Sequence, residues 1–351
     1  MKILKTLAFS GLVSAGTTAG AWLNGGDPHH AITGLPGATD WRAAVSVSAP
    51  GVVTPDLMAA TPAHVQRFFA GLSPAARTTL AQRAPGVVGN LDGAPYRLRY
   101  TVNERAARIR TQGRLLAYDP RGDGRIVQVF GDLATARQVM IIVPGSGWDL
   151  RKILTRTGPA QANPVAGAQA LLAETRRLSP AARIAVVVWL GYDTPEGIDR
   201  QAARSERAIA GARDLTRFIA GLPGRSTVSL VGHSYGTVVV GRTARSARVT
   251  DVIALASPGM DVLSATGLRT RARVWAARAP GDPIGYTPYV RVGGYGHGRD
   301  PVTPRFGARV FRTGSAIGHG GYYVAGSESL ANLARVALGR TSEVTLVAHD
   351  H

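Results

Sequence analysis

The apolar positions of the chain fall into two regimes that meet near residue 125. In the first, Val65, Phe68, Phe69 and Leu72 recur at helical spacing. Thr61-Pro62 supplies an N-cap followed by proline at the first helical position, and Ser73-Pro74 repeats the device for a second helix through Leu80. Pro85 is expected to end that helix, residues 90–93 (Asn-Leu-Asp-Gly) read as a turn, and a third helical stretch is expected over 101–112. Residues 24–60, rich in Gly, Pro and small side chains, read as an irregular arm.

In the second regime, short β-branched runs alternate with helical ones. Strands are expected at 125–130, 138–143, 183–190, 227–231, 251–255, 272–277 and 308–313, and helices at 164–177, 198–219, 235–246 and 328–338. The runs at 140–143 and 184–188 are apolar without interruption, the pattern of strands covered on both faces. The alternation predicts an α/β fold: a mostly parallel sheet with helices on both faces, preceded by a mainly helical N-terminal region. The expected organisation is a leader over 1–21, the arm and helical region over 22–124, the α/β domain over 125–340 and a tail over 341–351.

The leader is read from Lys2 and Lys5, the uncharged stretch from Thr6 to Leu23, and Ala19-Gly20-Ala21 before Trp22. A basic start, a short apolar middle and small residues at a cleavage point make a secretory signal. Interspersed Ser, Gly and Thr make the stretch a poor membrane span. The expectation is a secreted or extracytoplasmic protein, the alternative a cytoplasmic one with a docked N-terminal helix.

Composition narrows the chemistry. The 351 residues contain no cysteine. That excludes a disulfide scaffold, Cys-ligated zinc, iron–sulfur clusters, a thiol nucleophile and a lipidated N-terminal Cys. Lys plus Arg number 41 against 22 Asp plus Glu, a formal charge of +19. All but Lys2, Lys5 and Lys152 of these cations are Arg, dispersed through every segment without a run of five. Dispersed charge bears on solubility and association rather than on chemistry. With no helix-turn-helix, RNA-binding or zinc pattern, no nucleic-acid partner is expected. Weak electrostatic association with anionic envelope polymers is the expectation the charge leaves.

Gly232-His233-Ser234-Tyr235-Gly236 is a G-x-S-x-G pentapeptide set between an apolar strand (228–231) and a helical run (237–240). In that setting it reads as a nucleophile elbow: small flanking residues allow a sharp strand-to-helix turn that lifts the Ser234 hydroxyl above the sheet edge. A serine nucleophile needs a base and a group that orients the base. In chain order these follow as an acid and then a histidine. Downstream histidines are His297, His319, His349 and His351. His319, just after the last expected strand, is the candidate base; His297 reads as a solvated or substrate-loop residue. Asp282, directly after the strand around Trp275, is the candidate acid, with Asp261 one strand earlier as its rival and a plain Gly-Asp-Pro turn as the bland reading. The oxyanion donors are expected from the N–H of Tyr235 and from the 143–147 loop, at Ser146 or Gly145. No Gly-Lys-Ser/Thr follows that loop, so it is not a phosphate loop. Tyr286, Tyr289, Tyr295 and His297 lie in a Gly-rich loop that lines the pocket or is ordinary surface. No His, Asp or Glu cluster has metal spacing, and neither metal nor organic cofactor is expected.

Over roughly 60–338 the chain also resembles an actinobacterial α/β-hydrolase family of serine-hydrolase type, formerly catalogued as a domain of unknown function. The likeness runs in order through Val88–Gly93, Pro144–Gly147, Trp189–Asp193, Gly232–Gly236, Ser257–Gly259, Gly281–Ile284, Arg299–Pro301, Phe306–Ala308, and His319 with Tyr322-Tyr323. The resemblance implies a serine-hydrolase triad, and Ser234, Asp282 and His319 occupy the matching positions. One departure is Gly320 where a His-Ser-x-Tyr type of segment would carry serine. The expected function is an esterase- or lipase-like hydrolase of a small-molecule or lipid ester. The alternatives are a non-catalytic envelope protein of the same fold that binds anionic polymer and, less favoured, an amidase or peptidase.

Overall fold

The computed structural model describes residues 34–155 and 162–348. The expected leader, the first part of the arm, and His349 and His351 lie outside these residues. Among the described residues no helix is long and apolar enough to cross a membrane.

Among the described residues five α-helices come first: α1 (Trp41–Ser48), α2 (Pro62–Gly71), α3 (Pro74–Arg83), α4 (Pro85–Asn90) and α5 (Tyr96–Ala107). Thr61 and Ser73 cap α2 and α3 by accepting from His64 N–H and Ala76 N–H, each with proline in the first turn. Their apolar faces form a core of their own around Trp41, Val65, Phe68, Phe69, Leu80 and Val87. Helix α1 corrects the reading of 24–60 as an irregular arm. Its small residues give little signal, but Trp41, Ala44 and Val45 share a buried face, and Trp41 Nε1–H donates to Pro55 O. Pro85 opens α4 rather than simply ending α3, because its missing N–H costs nothing at a first helical position.

Among the described residues ten strands follow: β1 (Arg114–Asp119), β2 (Arg125–Gly131), β3 (Gln138–Val143), β4 (Ile184–Leu190), β5 (Thr227–His233), β6 (Asp251–Leu255), β7 (Gly259–Val262), β8 (Arg273–Ala277), β9 (His297–Gly298) and β10 (Arg309–Val310). Eight of them form one sheet in the order β1-β2-β4-β3-β5-β6-β8-β10, and β7 pairs with β9 separately. The pairs β1–β2 and β2–β4 are antiparallel; the rest of the large sheet is parallel. Strand β1 was not expected from the pattern.

Helices α6 (Leu150–Thr155), α7 (Pro164–Leu178), α8 (Glu206–Ala220), α9 (Gly236–Thr243) and α10 (Glu328–Ala337) complete the fold. One sheet face buries Val129, Ile141, Val187, Leu230 and Val252 with Leu215, Phe218 and Val239 of α8 and α9. The other buries Met140, Ile142, Val186, Val231 and Ile253 with Leu171 of α7 and Leu333 of α10. A parallel sheet covered on both faces explains the uninterrupted apolar runs.

Helix α8 starts at Glu206, not at 198. The carbonyls of Ala202, Ala203 and Arg204 accept from His297 Nε2, Gly296 N–H and Tyr235 O–H, so they are lost to a helical ladder. The strand expected over 308–313 shrinks to β10, because Arg312 N–H turns away to Thr345 O. The N-terminal helices are stitched to the sheet by Arg99 of α5. Its buried guanidinium donates to Gly89 O, Leu116 O and Asp92.

Candidate active site

Strand β5 ends at His233 and α9 begins at Gly236, so Ser234 and Tyr235 carry the turn. Ser234 has φ 53°, the left-handed region where a residue with a side chain costs about 1–3 kcal/mol. Its N–H donates to Leu255 O at 3.0 Å, tying the turn to β6. The flanking glycines are required by close approach. A Cβ on Gly232 would lie 2.6 Å from Gly236 O and from Thr237 Cα, and one on Gly236 would collide with Val143 O. Among the described residues Ser234 Oγ has no hydrogen-bond partner. The contacts of a candidate nucleophile often tighten only when substrate is bound.

Asp282 and His319 come together from loops after β8 and β10. His319 Nδ1 lies 2.8 Å from Asp282 Oδ1. The Asp282 side chain is fully buried, while that of His319 is 36 % exposed. Asp282 Oδ1 also accepts from Ile284 N–H at 3.0 Å, and Oδ2 accepts from Tyr322 O–H at 2.6 Å. Burial pushes the carboxyl upward, but the bonds from His319, Tyr322 and Ile284 outweigh it and hold it below its ordinary range. With Nδ1–H given to a carboxylate, His319 keeps its lone pair on Nε2. His233, the residue before Ser234, places its Nε2 2.6 Å from His319 O. The His319 loop is thereby held at the turn that carries Ser234.

The β3 loop lies over the same turn. A Cβ on Gly145 would lie 2.7 Å from Ser234 Cβ and 3.1 Å from Tyr235 N. The loop is held by Tyr192 O–H on Pro144 O at 2.7 Å and by Gly147 N–H on Pro195 O at 2.6 Å. Among the described residues, the N–H groups of Gly145, Ser146 and Tyr235 have no acceptor. They are therefore open to an oxyanion beside Ser234.

Residues 119–292 match a family model described as alpha/beta hydrolase. The match covers just under half of the chain and places that segment in the α/β-hydrolase family, in keeping with the sheet order. Among relatives of this α/β hydrolase, the uncharacterized protein MT2140 of Mycobacterium tuberculosis is 28% identical over 262 residues, 64% of this chain and 39% of that protein. The uncharacterized protein Mb0988c of Mycobacterium bovis is 38% identical over 92 residues, 24% of this chain and 34% of that protein. The chain thus spans well under half the length of these mycobacterial relatives. A solved α/β serine hydrolase without lid from Xanthomonas campestris is 16% identical, covering 69% of this chain and 99% of that one at a TM-score of 0.38. An overlap that loose places no residue.

Other expected residues of this α/β hydrolase lie elsewhere. Asp261, the rival acid, is buried and paired with Arg242 and Arg291. It accepts from Ser205 Oγ at 3.2 Å and has no contact with His319. His297 is a correction: it is buried, not a solvated loop residue. Its Nε2 lies 2.7 Å from Ala202 O, its ring packs edge-on against Tyr235, and burial lowers its pKa. Ser205, His297 and Asp261 make a second Ser-His-Asp group, but Nε2 there is spent on a carbonyl, so the imidazole cannot act as a base toward a substrate. Tyr289 is tied inward, its O–H to Ser257 O and Ile284 O, and burial pushes its phenol up to about 12. Tyr286 is 83 % exposed, and Tyr295 stacks under the Arg204 guanidinium.

Two contacts had no assigned role in the sequence. Tyr322 had only its place after His319, and His233 only its place inside the pentapeptide. Sequence spacing also missed that Asp123, Asp193 and Glu196 bring carboxylate oxygens within 4.8 Å of one another beside the β3 loop. Asp193 there is paired with Arg207. A cavity of about 560 Å3 lies away from the serine, between the N-terminal helices and β1, β2 and β4. Facing charges inside it pair with each other, as Arg99 does with Asp92 and Arg125 with Asp214.

Proposed function

We propose that this α/β hydrolase is a serine hydrolase that cleaves a small-molecule or lipid ester through an acyl-enzyme, with amides the second substrate class. In this reading Ser234 Oγ attacks the carbonyl carbon while His319 Nε2 takes its proton. The negative oxygen that forms is held by the N–H of Tyr235 and that of Ser146 or Gly145, with the N-terminus of α9 directed at it. The tetrahedral centre collapses, the alcohol leaves with the proton from His319, and water repeats the sequence to release the acid. Asp282 fixes the tautomer of His319 and offsets the charge it gains. The carrying observation is the 2.8 Å contact of His319 with Asp282, on a loop that His233 holds at the elbow.

The test is labelling with a fluorophosphonate probe, with Ser234→Ala as control. Stoichiometric labelling that the control loses supports the reading. A folded parent that stays unlabelled sinks it and favours the envelope protein that binds anionic polymer without catalysis; binding to such polymer would then weaken with salt. The proposal includes work outside the cytoplasm, supported by the leader pattern at Lys2 to Ala21. A mature exported form beginning at Trp22 by mass would bear that out.

A further inference from the structure

The residue between Gly232 and the nucleophile has a side chain that the steps above do not use. His233 closes β5 opposite Leu255 of β6. Side chains alternate along a strand, so His233 shares the face of Val231, which packs with Tyr322 and α10. On that face its ring meets His319 edge-on at 4.8 Å between centroids and Tyr322 at 5.9 Å. Its Nε2 lies 2.6 Å from the His319 carbonyl oxygen. A carbonyl accepts and cannot donate, so His233 Nε2 carries the proton.

We infer that His233 is the positioning residue of the proposed base: its Nε2–H bond to His319 O, with its ring against His319 and Tyr322, sets where the His319 imidazole stands between Asp282 and Ser234. The inference rests on the serine-hydrolase reading of the site. It assigns the pentapeptide's variable position a job on another loop, some distance away in sequence.

Burial among its neighbours favours a neutral His233. The titratable groups that face it are His319 and Tyr322 from the loop after β10 and Asp282 from the loop after β8. Burial, then the neighbouring His319, lower the pKa of His233 to about 4, against the opposing pull of Asp282. A neutral ring can sit beside His319 while that residue accepts a proton from Ser234. A cationic ring would oppose that transfer by like-charge repulsion.

His233→Leu removes the donor, and His233→Gln keeps an N–H near the position of Nε2. For an activated ester, His233→Leu is expected to lower kcat about tenfold or more, with KM nearly unchanged and an altered pH profile of kcat/KM. His233→Gln should recover most of kcat and the parent profile. Far-UV circular dichroism and a thermal melt check that each variant is folded. NMR of histidine-labelled protein supplies a readout that does not need activity. The parent should show a slowly exchanging His233 Nε2–H and a protected His319 Nδ1–H, the latter lost in His233→Leu and regained in His233→Gln. If the parent lacks the protected His233 proton, the inference is overturned even where a variant does not fold. A folded His233→Leu with parental kcat and profile overturns it too. A parent that shows both protons yet resists the fluorophosphonate would overturn the hydrolase reading and leave the contact standing.

Discussion

Tyr322 donates a 2.6 Å hydrogen bond to Asp282 Oδ2, the carboxylate oxygen that His319 leaves unused. The same phenol oxygen accepts from Ala279 N–H, so the tyrosine holds both the carboxylate and the loop that carries it. Tyr322→Phe should lower stability at pH 7 by about 1.5–3 kcal/mol, the scale of one hydrogen bond to a charged group. The sign with pH follows from the direction of the Asp282 shift. A carboxyl held low in the fold stabilises above its unfolded pKa of about 3.9, and that contribution is lost as pH falls through the lower folded value. The gap in melting temperature between parent and variant is therefore full at neutral pH and narrows in acid. A gap that is constant across pH would contradict the assignment.

Asp282 and Asp261 are separated by paired substitutions. Asp282→Asn should leave a folded protein whose ester hydrolysis falls about 10³–10⁴-fold, the cost of losing the group that fixes the histidine tautomer. Asp261→Asn strands the Arg242 and Arg291 cations instead. It should cost about 3 kcal/mol of stability while the folded fraction labels at the parental rate. Denaturant melts and labelling rates on both variants decide; reversed results would exchange the two roles.

Ser234 sits in a backbone region that favours glycine. Ser234→Gly should therefore raise stability by about 1 kcal/mol while abolishing labelling. Ser234→Ala, which keeps the side-chain cost, should lose labelling without the gain. Melting temperatures of the three proteins measured together check this.

Gly145 cannot take a side chain without touching Ser234 Cβ and His233 O. Gly145→Ala should slow labelling about 100-fold or more by displacing the loop that offers the N–H groups of 145 and 146. A parental labelling rate would mean that the loop has room that the close approach denies.

The local signals were legible in the sequence and the distant ones were not. The elbow could be read because strand, small residues and helix are consecutive, and the buried sheet because its strands are apolar on both faces. Asp282 and His319 could be singled out from their order after the strands, and the fold brings them to 2.8 Å. His297 could not be read as buried, since its partners at Ala202 and Ser205 lie far back along the chain. The same contacts took the first turns from the helix expected at 198. Helix α1 was hidden by its small residues, and β1 by a break in its register between Leu115 and Ala117. The contacts of His233 and Tyr322 depend on three loops meeting, which no spacing rule encodes.

Arg99 bears on how the molecule comes apart. Its guanidinium is satisfied by groups on α4 and β1 together, and Tyr96 beside it reaches Gly221 at the end of α8. Peeling the helical layer from the sheet would leave a buried cation facing carbonyls it can no longer reach, a cost that the layer's own small core would not offset. Heating should therefore melt helices and sheet in one transition, with tryptophan fluorescence from Trp41 and Trp275 changing at the same temperature.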